Sequence, residues 1–454
     1  MDKAEVEFGG GPYRMMTMGG PVMVLPAKFA DEIRNDDRLS FNKSAEQDYH
    51  AHLPAFEPFR GDITDLLANV AKKYLTKLIG KTTRPLSEEA ARTLETKLGE
   101  SPEWQQVSLE NTTLQLASRM TARVTAGEDL CRNETWLRNT MEYTINAAKA
   151  AKILQLLPAP VRHIAHLFLP QCREMRAQLV TARALVQSVL KKRKHEHLEA
   201  ASKGSPAPCY DDAIDWGALE YQNSKGDLRG SGYQPALFQL QTSVVGLHST
   251  TDLLTQTLIN ILLRPELIAP LREEIVNAIS DQGWSKPSLH KLHLMDSIMK
   301  ETQRLKPLEL ITMHRMATSD VKLSDGSLIP KYTCSVLANT TRLDPMVYEN
   351  PQEFDAYRFL RMRANADLKY QAPMVSTGIN SLGFGHGLHV CPGRFFATDV
   401  VKMALCHLLL KYDIELAPDC RPEPYKSIGF HLDHDRSVQI LIRRRKEEID
   451  MNVL

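Results

Sequence analysis

Between Leu237 and Ile261, apolar and near-apolar residues recur in alternating steps of three and four: Leu237, Leu240, Val244, Leu247, Thr251, Leu254, Leu258 and Ile261. Only an α-helix brings such positions onto one face, and at 1.5 Å per residue the run is roughly 40 Å long. A helix of that length crosses a whole domain, so the remaining elements must be arranged around it. It stops at Arg264-Pro265, and Leu267, Leu271 and Ile275 then carry a second amphipathic helix. Upstream, helical spacing dominates from about Asp62 to Lys194, with Leu66, Val70, Tyr74 and Leu78 four apart and Leu179, Leu185 and Val189 continuing the pattern. The stretch from Lys203 to Gly232, rich in Gly, Ser, Pro and Asp, predicts a surface loop.

Strand signals are few. Val22 to Pro26 reads as a short strand leading into a helix start at Ala27 to Arg34. Val321-Lys322-Leu323 and Ser327-Leu328-Ile329 flank Asp325-Gly326 as a hairpin. A helix that begins near Leu289 stops at Pro307, and Asp344 to Arg361 is irregular. The expected fold class is mainly α with a small β part. No Gly/Ser linker, repeat or long single-charge run divides the chain, so residues 1–454 are expected to form one domain.

Charge excludes one class of function. With 56 basic and 55 acidic residues, the chain carries no electrostatic footprint for nucleic acid. The cluster Lys191-Lys192-Arg193-Lys194 is short enough to be the end of a solvated helix. Seven scattered cysteines make no disulfide framework, which indicates a reducing compartment and leaves one thiol for chemistry. No run of about eighteen apolar residues is present; the nearest, Ile153 to Pro170, contains Pro158, Pro160, Arg162 and His163. The charged start Met1-Asp2-Lys3-Ala4-Glu5-Val6-Glu7 does not read as a signal peptide.

One segment concentrates the chemistry: Phe384-Gly385-His386-Gly387-Leu388-His389-Val390-Cys391-Pro392-Gly393-Arg394. Its glycines and proline prevent a regular element before Arg394, and an apolar helix-periodic run follows from Phe395 to Leu410. The loop therefore delivers one cysteine to a helix start, where unpaired backbone N–H groups and the helix dipole favour a thiolate. Such a sulfur suits a permanent iron ligand. The competing readings are an ordinary buried thiol and a zinc site of His386, His389 and Cys391, which lacks a fourth ligand at finger-like spacing.

The segment resembles the haem-binding signature of the cytochrome P450 family, with Phe384, Gly387, His389, Cys391 and Gly393 in its constrained places. The resemblance extends from about Val22 to the C-terminus and implies the cytochrome P450 fold, with the long central helix over the haem. Glu301-Thr302-Gln303-Arg304 matches the family's Glu-x-x-Arg pattern, and the segment Phe354 to Phe359 offers Arg358 as the second arginine of a buried structural network. On the long helix, Gly246-Leu247-His248-Ser249-Thr250 falls where most members have a small residue, an acid and a threonine. Gly246 would open a notch for oxygen, while Ser249 and Thr250, with His248 in place of the acid, would relay protons. Filamentous-fungal members often show such a His followed by hydroxyls. The resemblance also places haem propionates near His389 and Arg315, the latter next to His314. The partner on an early helix stays open among Lys72, Lys73 and Lys77. Phe56 to Phe59, Val245, Leu308 to Thr312 and Ile428 to Phe430 would line the pocket.

The activity so implied is that of a haem–thiolate monooxygenase acting with O2 on an apolar small molecule, in fungal secondary metabolism of a terpenoid, alkaloid or polyketide. Nothing in the chain encodes a flavin domain, so NADPH and flavin would act through a separate reductase, with Lys402 and Arg394 among the basic residues that could face it. The resemblance suggests the cytosolic face of the endoplasmic reticulum membrane. The anchoring helix and proline-rich hinge of microsomal relatives are not seen in these residues, so the expectation is either a truncated N-terminus or peripheral membrane contact. Two other readings stand: a haem–thiolate isomerase or dehydratase needing no external electrons, and a non-enzymatic haem-binding protein.

Overall fold

The computed structural model describes residues 7–17, 19–224 and 232–451. Helices α1 (Gly61–Val70, continued by a π-helical turn over Ala71–Leu75), α2 (Ile79–Leu98), α3 (Leu109–Thr125), α4 (Glu134–Gln155), α5 (Ala159–Phe168) and α6 (Pro170–Ser202) account for the upstream periodicity. They are followed by α7 (Ala213–Asn223), α8 (Pro235–Leu262), α9 (Ile268–Ile279), α10 (His293–Leu305) and α11 (Arg394–Lys411). The apolar stripe lies on α8. Leu237, Leu240, Leu254, Leu258 and Ile261 are fully buried, and Pro235 occupies the first turn, where its missing N–H costs nothing. α8 packs against α1, α3, α4, α6, α7, α10 and α11 and so forms the axis of the molecule. The largest apolar cluster draws on residues from Leu66 to Met451.

Helix α7 corrects the expected loop. Asp212 caps it, its Oδ1 accepting from the N–H groups of Ile214 (3.1 Å) and Asp215 (3.3 Å). Arg193 of α6 pairs with the same carboxylate and fixes the cap in place. The helix is brief, and its flanking polar residues dilute its apolar spacing; 225–231 lie outside the described residues. The helix expected from Leu289 is also two pieces, Lys286–Lys291 and α10, broken at Leu292. There the Glu274 carboxylate accepts from Leu294 N (2.6 Å) and Met295 N (3.0 Å), which satisfies the new helix start.

Five strands form the main sheet: β1 (Tyr13–Thr17), β2 (Gly20–Leu25), β3 (Leu39–Ser40), β4 (Ile311–Ala317) and β5 (Cys334–Ala338), in the order β1-β2-β5-β4-β3. β2 runs parallel to β5, pairing Met23 with Ser335 and Leu25 with Leu337; the other contacts are antiparallel. The register of β4 on β5 slips between Thr312 and Arg315. Met313 at this bulge has φ +51°, a left-handed angle that a residue with a side chain seldom adopts. Near the C-terminus β6 (Lys426–Ile428) and β7 (His431–Asp433) make a hairpin. Leu310 N donates to Phe430 O (2.8 Å) and Leu432 N to Leu308 O (3.0 Å), which clamps this hairpin onto the chain entering β4.

Candidate active site

Cys391 sits where the loop turns into α11. Its N–H donates to Phe384 O at 2.8 Å, closing the loop on itself. Gly385 and Gly387 have φ of +70° and +78°. A Cβ on Gly387 would lie 2.4 Å from backbone and side-chain atoms of Arg34, so no other residue fits there. The N–H groups of Gly393 and Arg394 point at the sulfur and favour its anion, but burial outweighs them and holds the thiol above its ordinary pKa. The helix start thus assists a thiolate without producing one unaided; a metal cation is what would complete the deprotonation.

Behind the loop, Glu301 is completely buried on α10. Both its oxygens accept from Arg304, at 2.7 Å each, and from Arg358 Nε at 3.1 and 3.2 Å; Asp355 N adds a bond of 3.0 Å. Arg304 uses its remaining donors on Arg342 O and Pro351 O, both at 2.6 Å, and both guanidinium groups lie over the Tyr348 ring. Every lone pair of the carboxylate is engaged. The i, i+3 spacing of Glu301 and Arg304 and the distant Arg358 are brought together in one network.

On the sheet side, Arg315 is 2% exposed. Its Nη1 donates to His314 O at 2.8 Å, while Nε and Nη2 are buried with no partner. Burial lowers its pKa to about 10, still a cation at neutral pH. Its charge and that of Lys72 bear on His389, which burial in the first place, then these two cations, hold at about 4. His389 is therefore a neutral hydrogen-bonding group. Of the early-helix lysines, Lys72 is near enough for its charge to act on His389, whereas Lys73 pairs with Glu220 at 2.6 Å. Arg315 and Lys72 thus supply positive charge around a neutral His389, itself two residues from Cys391, the chemistry that a pair of carboxylates requires.

The middle of α8 has neighbours on many sides, yet Val245 is 51% exposed and Ser249, one turn on, is exposed too. These two positions border interior space. Ser249 Oγ donates to Val245 O at 3.3 Å, leaving its lone pairs free. Thr250 is buried on the next face of the helix. Gly246 does not open the expected notch, because a Cβ there would point into α3, 3.2 Å from Thr121 Cγ2. Its role is close packing of two helices. Among the expected lining residues, Phe56 and Phe59 belong to an apolar core, the latter stacked on Tyr49 at 4.1 Å. Phe430 is partly buried, and the Ile428 side chain lies outside the described residues.

Three expectations need correction. Lys402 is not a surface cation: it is buried, paired with Asp296 at 2.7 Å and bonded to Leu289 O at 3.1 Å. Arg394 is half-buried and turned inward, donating to Cys391 O (3.0 Å) and Val375 O (3.2 Å). The zinc reading fails because His386 faces Arg34, Asp31 and Thr377. Among the described residues, the set of donors that converges within 4.8 Å is instead His248, His431 and Asp433. Sequence spacing held no hint of that cluster, since β7 and α8 are far apart along the chain.

Comparison with known proteins decides what this geometry belongs to. Residues 64–436 match the family model for cytochrome P450. The chain belongs to the cytochrome P450 family. It is 41% identical to cytochrome P450 monooxygenase 1 of Gibberella fujikuroi over 96% of this chain and 98% of the relative. With cytochrome P450 monooxygenase eqxH of Fusarium heterosporum it shares 42% identity over 100% of this chain and 86% of the relative. The retinoic acid-bound cyanobacterial CYP120A1 superposes with a TM-score of 0.69 at 16% identity, covering 98% of this chain and 94% of that one, which shows the shared fold. The chain is thus an oxidoreductase of the monooxygenase type, and its cofactor is a haem held by a cysteine thiolate. The residues present fit that group: a loop sulfur facing two backbone N–H groups, and a buried guanidinium with two unpaired nitrogens.

Proposed function

We propose that this P450 oxidises an unreactive C–H bond of a bulky apolar small molecule (a terpenoid, alkaloid or polyketide of fungal secondary metabolism) with Cys391 as its iron ligand and residues 1–454 as one catalytic domain. The observation that carries the site assignment is the buried Arg315 guanidinium with Nε and Nη2 unpartnered, beside the Cys391 loop. Haem, when bound there, supplies the activation of O2. The chain's own residues do the rest. Arg315, Lys72 and His389 hold and orient the propionates, and Phe384 and Gly393 bound the sulfur. The Glu301–Arg304–Arg358 network ties α10 to the segment between Arg342 and Arg358 and so holds this part of the fold together. Val245 and Phe430 supply apolar lining. Ser249 Oγ, with Thr250 beside it and His248 before it, holds and passes protons at the distal face.

Electrons come in this reading from a separate flavoprotein reductase using NADPH. No helix among the described residues is long and apolar enough to cross a membrane. Peripheral contact with the endoplasmic reticulum membrane is supported by exposed Val161, Ile164, Leu167 and Phe168 on α5 and Leu156 beside it. Strand β1 adds exposed Met16, and Gly19 of the β1–β2 turn lies near Gln155 at the end of α4. Ile164→Glu with Phe168→Glu should release the protein from phospholipid vesicles; unchanged binding would remove this surface. The function itself is tested by aerobic turnover with NADPH and a reductase against a terpenoid, alkaloid and polyketide panel. Product should require all three components. Turnover with the reductase omitted would replace this reading with isomerisation or dehydration.

A further inference from the structure

The position on α8 where most family members carry an acid holds His248 here, and the structure shows what stands opposite it. His248 Nε2 lies 3.4 Å from His431 Nε2 on β7, the two rings stacked at 5.4 Å. His431 is itself held from two sides. Its Nε2 is 3.1 Å from Asp433 Oδ1, and its Nδ1 is 3.9 Å from Glu309 Oε1. Backbone geometry fixes this arrangement, because Glu309 and His431 face each other in a β-bridge secured by the Leu310–Phe430 and Leu432–Leu308 hydrogen bonds.

Proton counting follows from these contacts. Carboxylates only accept, so an imidazole flanked by one on each nitrogen is best satisfied with both nitrogens protonated. His431 Nε2–H is then shared between Asp433 and His248, and His248 Nε2 must accept. A cationic imidazole is thereby set against a neutral one. From these contacts we propose that His431 is the proton reservoir of the distal face, supplying through His248 the acid that α8 itself lacks. This rests on the monooxygenase reading and deepens it.

The electrostatics agree. Glu309 first, then Asp433 against the cost of burial, hold His431 above its ordinary pKa, while burial holds His248 below its own. The charged groups facing the pair are Glu309, Asp433, Arg436 and Asp252. Glu309 also accepts from His314 at 3.1 Å; these two histidines outweigh its burial and keep it ionised, at about 2. Asp252 is already engaged by His434 and Lys306. In the transfer, the N–H bond at His431 Nε2 breaks and one forms at His248 Nε2. His248 returns to neutrality by giving up a proton on the cavity side of α8, where Ser249 is exposed, and His431 is refilled from solvent through its exposed edge. One proton moves and no electron. The same three donors converge closely enough for a divalent cation. The proton between His431 and Asp433, and Arg436 at 3.4 Å from the Asp433 carboxylate, favour the relay.

His431→Phe keeps a ring against His248 and removes the proton; Glu309→Gln and Asp433→Asn each remove one flanking charge. In the diamagnetic ferrous carbon monoxide form of the holoenzyme, NMR titration of labelled histidines should show His431 titrating above the ordinary histidine value and moving to lower pH in Glu309→Gln and Asp433→Asn. Product formed per NADPH should fall as pH rises through the His431 midpoint and fall earlier in those two variants. In His431→Phe it should fall severalfold at every pH, with hydrogen peroxide released instead. Wild-type coupling and pH profile in His431→Phe, or a His431 midpoint at or below the ordinary value, would overturn the proposal. Asp433→Asn keeps the test open if Glu309→Gln fails to fold. Failure of the underlying reading would look different, as loss of the thiolate-type carbon monoxide spectrum from the wild-type protein itself.

Discussion

Replacing Arg315 with Met should move two properties in opposite directions. The side chain is 2% exposed, carries a charge, and leaves two of its nitrogens without partners. A buried donor left unpaired costs about 1–3 kcal/mol, more when charged. Met keeps much of the chain length and removes the cation, so the haem-free protein should gain at least about 1–3 kcal/mol in stability. The same guanidinium is assigned to a propionate, and a hydrogen bond to a charged group contributes about 1.5–3 kcal/mol. Losing it should weaken haem binding roughly 10- to 150-fold. Urea unfolding of the haem-free protein followed by circular dichroism reads the first effect. The rate and extent of haem transfer to a haem-scavenging globin read the second. A variant that holds haem as tightly as wild type, with no gain in haem-free stability, would show that Arg315 has a partner of its own and no part in the haem site.

Glu301→Ala leaves the buried guanidinium of Arg304 and its neighbour Arg358 without their shared carboxylate, a loss of about 3–5 kcal/mol; it should yield haem-poor, poorly soluble protein, and a soluble, haem-replete variant with only a catalytic defect would refute the structural role. Ser249→Ala combined with Thr250→Val should leave haem content and the carbon monoxide spectrum intact while product per NADPH falls and hydrogen peroxide accumulates; full coupling would remove this helix face from the mechanism. His434 is buried between Glu110 and Asp252, which raise its pKa against the cost of burial to about 9 from 6.5. Its contribution to stability is complete below about pH 6.5 and is lost as pH rises towards about 9. His434→Gln should therefore be destabilised at pH 6 and show a flatter stability profile across that window, measured by urea midpoints.

What could be read in the sequence is what repeats or sits close together along it. The α8 stripe is legible because burial on one face of a helix imposes its period on the residue types. The Cys391 loop is legible because only glycine tolerates the angles at Gly385 and Gly387 and the contact of Gly387 with Arg34. Helix α7 was not, since it is short and its decisive interaction is a cap held by Arg193 from another helix. Lys402 misleads because a lysine in a helix reads as solvent-facing, and its partner Asp296 lies on α10. Gly246 looks like an opening until α3 is seen packed against it. The His248–His431–Asp433 cluster is invisible for the same reason: β7 reaches α8 only because the β6–β7 hairpin is clamped beside β4.

The assignment of Cys391 as the iron ligand is tested most directly by the carbon monoxide spectrum of the reduced protein. The wild-type chain should show the strongly red-shifted Soret band of thiolate-ligated haem. Cys406→Ala, which alters a thiol buried in α11 whose ionisation burial suppresses, should keep that band. Cys391→Ala should lose it while haem remains detectable. A red-shifted band that survives in Cys391→Ala would contradict the account.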